Sequence, residues 1–329
     1  MVTNLSFGNL NFDTDIRNKL AKVEKLMFEE ISKSDIFMTE AVEHLFKAGG
    51  KRFRPLFILL AASLGPKPSN PQIVVSSAVI ELVHLATLYH DDVMDEAQIR
   101  RGTNSANVRW NNNIAILTGD YLFATASRLV SLLGVDAVRM IANAFAQLVT
   151  GQMRETYGFV KNKNKVDHYF KVVYEKTACL IAASGWFAGT FSNADNEQVS
   201  RLYRLGGMLG MAFQISDDII DLNSNVINLG KNPYADLRKG VYTLPILFAL
   251  NEEGLNADRL RELLIGPIKC DKDINEALIL LKHSSGITRT KNIVANYVNQ
   301  ALKELAYLPS KPGRDALVTL LEYTVERNY

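Results

Sequence analysis

The sequence predicts an all-α protein, and three observations carry that prediction. No proline occurs between Pro71 and Pro233, and a proline inside a helix costs roughly 3 kcal/mol, so the gap favours continuous helices. Apolar residues recur at helical spacing throughout the same span. Strand signals are missing, with no sustained alternation and no Asn-Gly or Asp-Gly turn between β-branched runs. Seven of the nine prolines gather in "LGPKPSNPQ" (Leu64–Gln72), "GKNPYADLRKG" (Gly230–Gly240), "GPIK" (Gly266–Lys269) and "PSKPGRDA" (Pro309–Ala316), where breaks between helices are expected. With no short repeat, low-complexity linker or shift in composition, residues 1–329 read as one domain.

The first element to place is a helix over about Gln72 to Glu96. Its "VVSSAVIELVHLATLY" is apolar almost all round, which predicts a central helix. It runs directly into "LYHDDVMDEAQIRRG" (Leu88–Gly102), with three aspartates inside five positions. Asp91 and Asp95 stand at i and i+4 on one face, and Asp92 lies about 100° round. His84 lies two turns deeper on nearly the same face. A later helix, "GGMLGMAFQISDDIIDL" (Gly206–Leu222), repeats the geometry with Asp217, Asp218 and Asp221, and Gln214 stands one turn before Asp218. Gly206 and Gly210 are expected to let it pack closely on a neighbour.

Composition excludes several classes. Hydrophobic content of 47% and charged content of 22% suit a globular chain with a large core. A net charge of +2 gives no case for nucleic-acid binding. Cys179 and Cys270 form neither a disulfide framework nor a metal-ligand spacing, as in a reduced intracellular chain. The first twenty residues lack a signal-peptide core, and no segment approaches the roughly 18 uncharged apolar residues of a membrane span. The expected location is the cytoplasm.

Two carboxylate clusters set against apolar helices demand a partner. A single such trio could be a solvated helix end, but buried carboxylates must be paired or bind metal. Hard oxygen ligands suit Mg²⁺, which typically takes one or two carboxylates plus phosphate oxygens and water. Arg100 and Arg101 can grip phosphate bidentately, and "AGGKRFRP" (Ala48–Pro55) adds a second basic patch of Lys51, Arg52 and Arg54. The combination predicts a Mg²⁺–phosphate site with acidic walls on both sides.

Together with "LFKAGGKRFRPLFILLAA", "ELVHLATLYHDDVMD", "RRGTNSANVRWNNNIAILTGDYLFA", "EKTACLIAASG", "FQISDDIIDL" and "GKNPYADLRKGVYTLPIL", these motifs cover nearly the whole chain. In that order they resemble the all-trans polyprenyl diphosphate synthases of the isoprenyl diphosphate synthase family. The pattern is similar to the large subunits of bacterial hexaprenyl and heptaprenyl enzymes. The resemblance implies a bundle of long helices around a central cavity, usually dimeric.

Position by position, the resemblance makes Asp91, Asp92 and Asp95 the first metal motif and Asp217, Asp218 and Asp221 the second, on the opposite wall. About three Mg²⁺ ions are implied with diphosphate bound. Arg100 matches the grip on the allylic diphosphate; Lys51, Arg54, His84 and Arg101 match the isopentenyl diphosphate pocket. Lys176, Thr177, Gln214 and Lys231 match further allylic-side residues, with Lys176 counted among the catalytic ones. One departure stands out: Val241 occupies a position where many members carry lysine, and Lys239 is the nearby substitute.

The implied reaction is metal-assisted ionisation of an allylic diphosphate, alkylation of isopentenyl diphosphate by the carbocation, and loss of a proton. No side-chain nucleophile is needed, and His90 is expected to pack or support its neighbours. Ala86 and Thr87, about a turn below Asp91, are small where short-chain members carry a bulky aromatic. That implies a product of C30 or longer, with farnesyl or geranylgeranyl diphosphate synthesis as the alternative. A homodimer, or a heterodimer with a small regulatory subunit, is implied, as are a quinone side-chain destination and peripheral membrane contact at product release. Three rivals explain less. An HD-type phosphohydrolase leaves the second trio and the arginine pair unexplained. A terpene cyclase ordinarily carries a mixed Asn/Asp, Ser/Thr and Glu second motif. An inactive regulatory subunit would not need both trios.

Overall fold

The computed structural model describes residues 6–159, 164–223 and 234–326, and these are overwhelmingly helical. In chain order come α1 (Leu10–Ile31), α2 (Ile36–Lys47), α3 (Phe53–Ala62) and α4 (Pro71–Met94). A two-stranded ribbon follows, β1 (Ile99–Arg100) and β2 (Thr103–Asn104). Then come α5 (Ala106–Arg109), α6 (Asn112–Ser131), α7 (Val135–Tyr157) and α8 (Lys165–Val173). A π-helical turn, Tyr174–Ala178, leads into α9 (Cys179–Phe191) and α10 (Asn196–Asn223). The rest is α11 (Ala235–Lys239), α12 (Leu244–Leu250), α13 (Leu255–Leu263), α14 (Asp271–His283), α15 (Gly286–Ala306) and α16 (Pro312–Glu326). The chain divides into two compact units: residues 1–146, 180–206 and 304–319 in one, and 147–179, 207–303 and 320–329 in the other.

In the first unit α4 is the central helix. Asn70 caps it by accepting from the Gln72 N–H at 3.1 Å, and Pro71 occupies the first turn, where its missing N–H costs nothing. From Ala78 to Val83 every side chain is essentially inaccessible, and α4 packs most extensively on α6, then on α3 and α1. It is long and apolar enough to cross a membrane, the one such helix among the described residues, yet 72% of that stretch is buried inside the protein. It is therefore a core helix. It ends earlier than the expected Glu96: Asp95 is the C-cap, its N–H reaching the Asp91 carbonyl at 2.8 Å, and Glu96 turns left-handed at φ 50°.

The sequence held no strand signal, but β1 and β2 pair antiparallel, Ile99 opposite Asn104 and Arg100 opposite Thr103. The two-residue turn is Arg101-Gly102, with φ of 54° and 77°. Positive φ at both positions is the turn geometry that matches strand twist. Glycine takes it freely; Arg101 is held there because its guanidinium donates to the carbonyls of Leu45, at 2.8 Å, and Gly49. A tertiary tether replaces the usual Asn-Gly signature.

In the second unit, Leu222, Leu237, Ile246, Leu260, Ile274 and Leu281 form part of one buried cluster from α10 through α14. The π turn between α8 and α9 carries Glu175, Lys176 and Thr177. Such an extra residue per turn rotates side chains out of α-helical register and is frequent at functional sites. Within α10, a Cβ on Gly210 would come 2.6 Å from the Cα of Ala178, so only glycine permits that approach; in the first unit, Gly206 meets the Ile181 carbonyl in the same way. The expectation for both glycines is met. Cys179 is buried and Cys270 exposed, and neither is in a disulfide.

Candidate active site

The first acidic trio sits where α4 gives way to the ribbon. Asp92 is 0% exposed, and its Oδ1 accepts from Arg100 through Nε at 2.7 Å and a terminal nitrogen at 2.5 Å. Its other oxygen, Oδ2, is buried with no hydrogen-bond partner. Burial raises the Asp92 pKa, and Arg100 opposes that shift. Asp91 is half-buried and Asp95 exposed.

The basic residues of this unit divide by role. Lys51 is exposed just before α3 and Arg54 half-buried in its first turn. Cations at a helix N-terminus oppose the macrodipole, while the free N–H groups there favour an anion. Arg52 departs from the phosphate-binding reading of this patch. It is 3% exposed, left-handed at φ 46°, and donates to Glu24 at 3.0 Å and to the Phe46 carbonyl at 3.3 Å. Buried Glu81 lies 3.5 Å from it. Arg52 therefore staples the loop rather than presenting charge to solvent. His84 is held well below the usual histidine range by loss of hydration, then by Arg54, Arg101, Arg100 and Arg52. A neutral imidazole among guanidiniums is suited to hydrogen bonding beside an anion.

Ala86 and Thr87 are both buried, and the Thr87 hydroxyl donates to the His84 carbonyl at 2.8 Å. His90 packs over Gly119, with Nε2 3.1 Å from the Ile116 carbonyl and 3.3 Å from Asp120, in keeping with a packing role.

The second unit holds the other trio near the end of α10. Asp217 and Asp221 are half-buried, while Asp218 is only 7% exposed and accepts at both oxygens. Oδ1 receives Gln214 Nε2 at 3.0 Å and Oδ2 receives the Tyr169 hydroxyl at 2.5 Å. Gln214 in turn accepts from the Thr177 hydroxyl at 3.0 Å. Burial, then the charge of Asp236, pushes the Asp218 pKa up to about 8. The Asp236 N–H reaches Asp221 Oδ2 at 3.4 Å. On the π turn, Lys176 pairs with Glu155, and Glu175 is clamped by Arg154 at 2.8 and 3.0 Å. Val241 is partly exposed. Lys231 lies outside the described residues.

Each unit thus assembles its own share of the expected residues: Asp92 with Arg100, and Arg54, Arg100 and Arg101 around His84, in the first; Thr177, Gln214 and Asp218 in the second. Sequence reasoning missed Tyr169, Glu155, Asp236 and Glu81. Tyr169 precedes Lys176 by seven residues, but the π turn that carries Lys176 breaks the α-helical register between them, so that spacing gave no signal.

Among the described residues no three acidic, histidine or cysteine side chains form a ready-made metal cage. Mg²⁺ does not require one, since it keeps waters and shares ligands with substrate phosphate. The bare buried Oδ2 of Asp92 and the all-oxygen donor set fit such an ion. Carboxylates that bind a hard cation and guanidiniums that bind diphosphate are the tools for making diphosphate a leaving group.

The model of the family described as polyprenyl synthetase matches residues 36–281. The chain belongs to the polyprenyl synthetase family. It is 55% identical to a nonaprenyl diphosphate synthase of Mycobacterium tuberculosis over 328 residues, covering 100% of this chain and 98% of the relative. It is 47% identical to a dimethylallyltranstransferase of the same organism over 325 residues, 99% of each. Among solved structures, the geranylgeranyl pyrophosphate synthase of Corynebacterium glutamicum, complexed with calcium and isoprenyl diphosphate, superposes with a TM-score of 0.89. It is 43% identical, with 98% of this chain and 99% of that one covered. As a polyprenyl synthetase the chain is an all-α prenyltransferase, of a family that uses Mg²⁺ and joins isopentenyl to allylic diphosphates.

Proposed function

We propose that this polyprenyl synthetase condenses an allylic diphosphate with successive isopentenyl diphosphates to make a long-chain all-trans polyprenyl diphosphate of C30 or longer. The observation that supports it most is the pairing of small, buried Ala86 and Thr87 below the first aspartate trio with 55% identity to a nonaprenyl diphosphate synthase. A shorter product is the second reading, favoured by the likeness to a geranylgeranyl pyrophosphate synthase.

Asp91, Asp92 and Asp95, and Asp217, Asp218 and Asp221, would hold the Mg²⁺ ions, three with diphosphate bound. When bound, the metal supplies Lewis-acid neutralisation of the departing pyrophosphate. The side chains do the rest. Arg100 is shared between Asp92 and the allylic diphosphate, and Lys176 exchanges Glu155 for diphosphate oxygens, with Thr177 and Gln214 beside it; Lys231 is assigned to the allylic side by its motif alone. Lys51, Arg54, Arg101 and neutral His84 orient isopentenyl diphosphate. The allylic C–O bond breaks, C1 bonds to C4 of isopentenyl diphosphate, and a proton lost from C2 restores a double bond. Pyrophosphate leaves with the C–O electron pair. Residues 1–329 serve as one catalytic domain, which the unbroken family match over 36–281 supports. A second copy, or a small regulatory subunit, would cover the exposed Ile116 and Leu117 of α6. The expected setting is the cytoplasm, with peripheral membrane contact as the greasy product leaves toward quinone side-chain use.

Pyrophosphate release tests the reaction class. The proposal expects release only when farnesyl diphosphate, isopentenyl diphosphate and Mg²⁺ are all present. Release without isopentenyl diphosphate would indicate a hydrolase or cyclase instead.

A further inference from the structure

The second acidic trio is supported by a hydrogen-bonded chain that neither the motifs nor the relatives' names assign. Thr177 donates to Gln214 at 3.0 Å, Gln214 donates to Asp218 at 3.0 Å, and the Tyr169 hydroxyl donates to the other Asp218 oxygen at 2.5 Å. Tyr169 and Asp218 are both buried, so water does not stand ready to replace a lost donor. Orientation propagates along this chain. The Thr177 donation fixes which end of the Gln214 amide faces Asp218, and the two donors on opposite oxygens then fix the plane of the carboxylate. Each oxygen still carries a second lone pair. The π turn places Thr177 at one end of the chain, and α8 places Tyr169 at the other.

We propose that Tyr169 is a positioning residue: its hydroxyl locks the Asp218 carboxylate in the orientation that completes the second metal-binding trio. This rests on the reading of that trio as a Mg²⁺ site. Groups that orient a ligating carboxylate typically change metal affinity by 10–100-fold when removed. Tyr169→Phe removes one oxygen and conserves the packed ring. The variant should bind metal at least tenfold more weakly, with the affinity for allylic diphosphate in the absence of metal unchanged.

The test is Mn²⁺ titration, read by electron paramagnetic resonance of the free ion, into the full chain with farnesyl thiolodiphosphate present. Tyr203→Phe, which removes a partly buried phenol hydroxyl of the other unit, is the control. A tenfold loss in Tyr169→Phe alone supports the proposal. Wild-type affinity in Tyr169→Phe, or equal losses in both variants, overturns it. Should Tyr169→Phe not fold, Tyr169→Met, which also lacks the donor but fills the apolar space, takes its place and should weaken Mn²⁺ at least tenfold; wild-type affinity would overturn the proposal. If the wild-type chain shows neither thiolodiphosphate-dependent Mn²⁺ binding nor prenyl transfer, the Mg²⁺ reading of the trio has failed, and not the role of Tyr169 within it.

Discussion

Asp92 and Asp218 hold the same place in the same five-residue pattern, yet the protein solves their burial in opposite ways. Asp92 is matched by a cation: Arg100 takes one oxygen twice, and the other oxygen is left bare. Asp218 has neutral donors on both oxygens, Tyr169 and Gln214, and the nearby charge of Asp236 works against ionisation. The first is an ion pair with one open ligand position. The second is a carboxyl whose proton affinity burial raises, set in a frame of neutral hydrogen-bond donors. Identical spacing therefore does not imply identical electrostatics; what packs against the helix decides.

The largest effect expected is on chemistry. Asp91→Ala should lower kcat by about a thousandfold or more, since the charge on the leaving group would lose part of its stabilisation. Steady-state prenyl transfer at saturating Mg²⁺ checks this.

Stability separates the two middle aspartates. Asp92→Asn leaves Arg100, 24% exposed, beside a neutral group, and breaking a largely buried pair should cost about 2–3 kcal/mol. Asp218→Asn keeps an acceptor and gains a donor, and both the tyrosine hydroxyl and the threonine hydroxyl can reverse direction. Its metal-free stability should stay within about 1 kcal/mol of wild type near pH 5. Urea denaturation of the metal-free proteins reads both values.

A smaller effect is the pH dependence of metal-free stability. Asp218 holds its proton in the folded state up to about pH 8, whereas the unfolded chain loses it near the ordinary carboxyl value. The folded state binds more protons in that window, so this group's contribution falls as pH rises from about 4 to about 8. His84 works the other way. Its folded pKa lies well below the usual 6.5, so the unfolded chain takes up a proton first and stability falls as pH drops below 6.5. Asp218→Asn should flatten the alkaline arm of a melting-temperature profile, and His84→Gln the acid arm. If each variant left its own arm unchanged, the contrast drawn between the two sites would be wrong.

The helices and both trios were legible because proline spacing and apolar periodicity are local properties. The Gln214–Asp218 bond was readable from one-turn spacing, and the close approach at Gly210 from the glycine itself. Other features were not local. The ribbon at Ile99–Asn104 depends on Arg101 being tethered to carbonyls some fifty residues away. Arg52 read as part of a phosphate-binding patch in "GGKRFRP", whereas Glu24, Glu81 and Phe46 close around it. The Tyr169–Asp218 contact joins residues 49 apart in sequence, and no spacing rule reaches that far.

The most direct test of the central claim is the product made by the purified chain alone from labelled isopentenyl diphosphate, farnesyl diphosphate and Mg²⁺, sized after dephosphorylation. The account predicts an all-trans ladder ending at C30 or longer. A ladder that stops at C20 would contradict the long-chain reading, and no Mg²⁺-dependent elongation by the folded chain would point to the small regulatory subunit as a required partner.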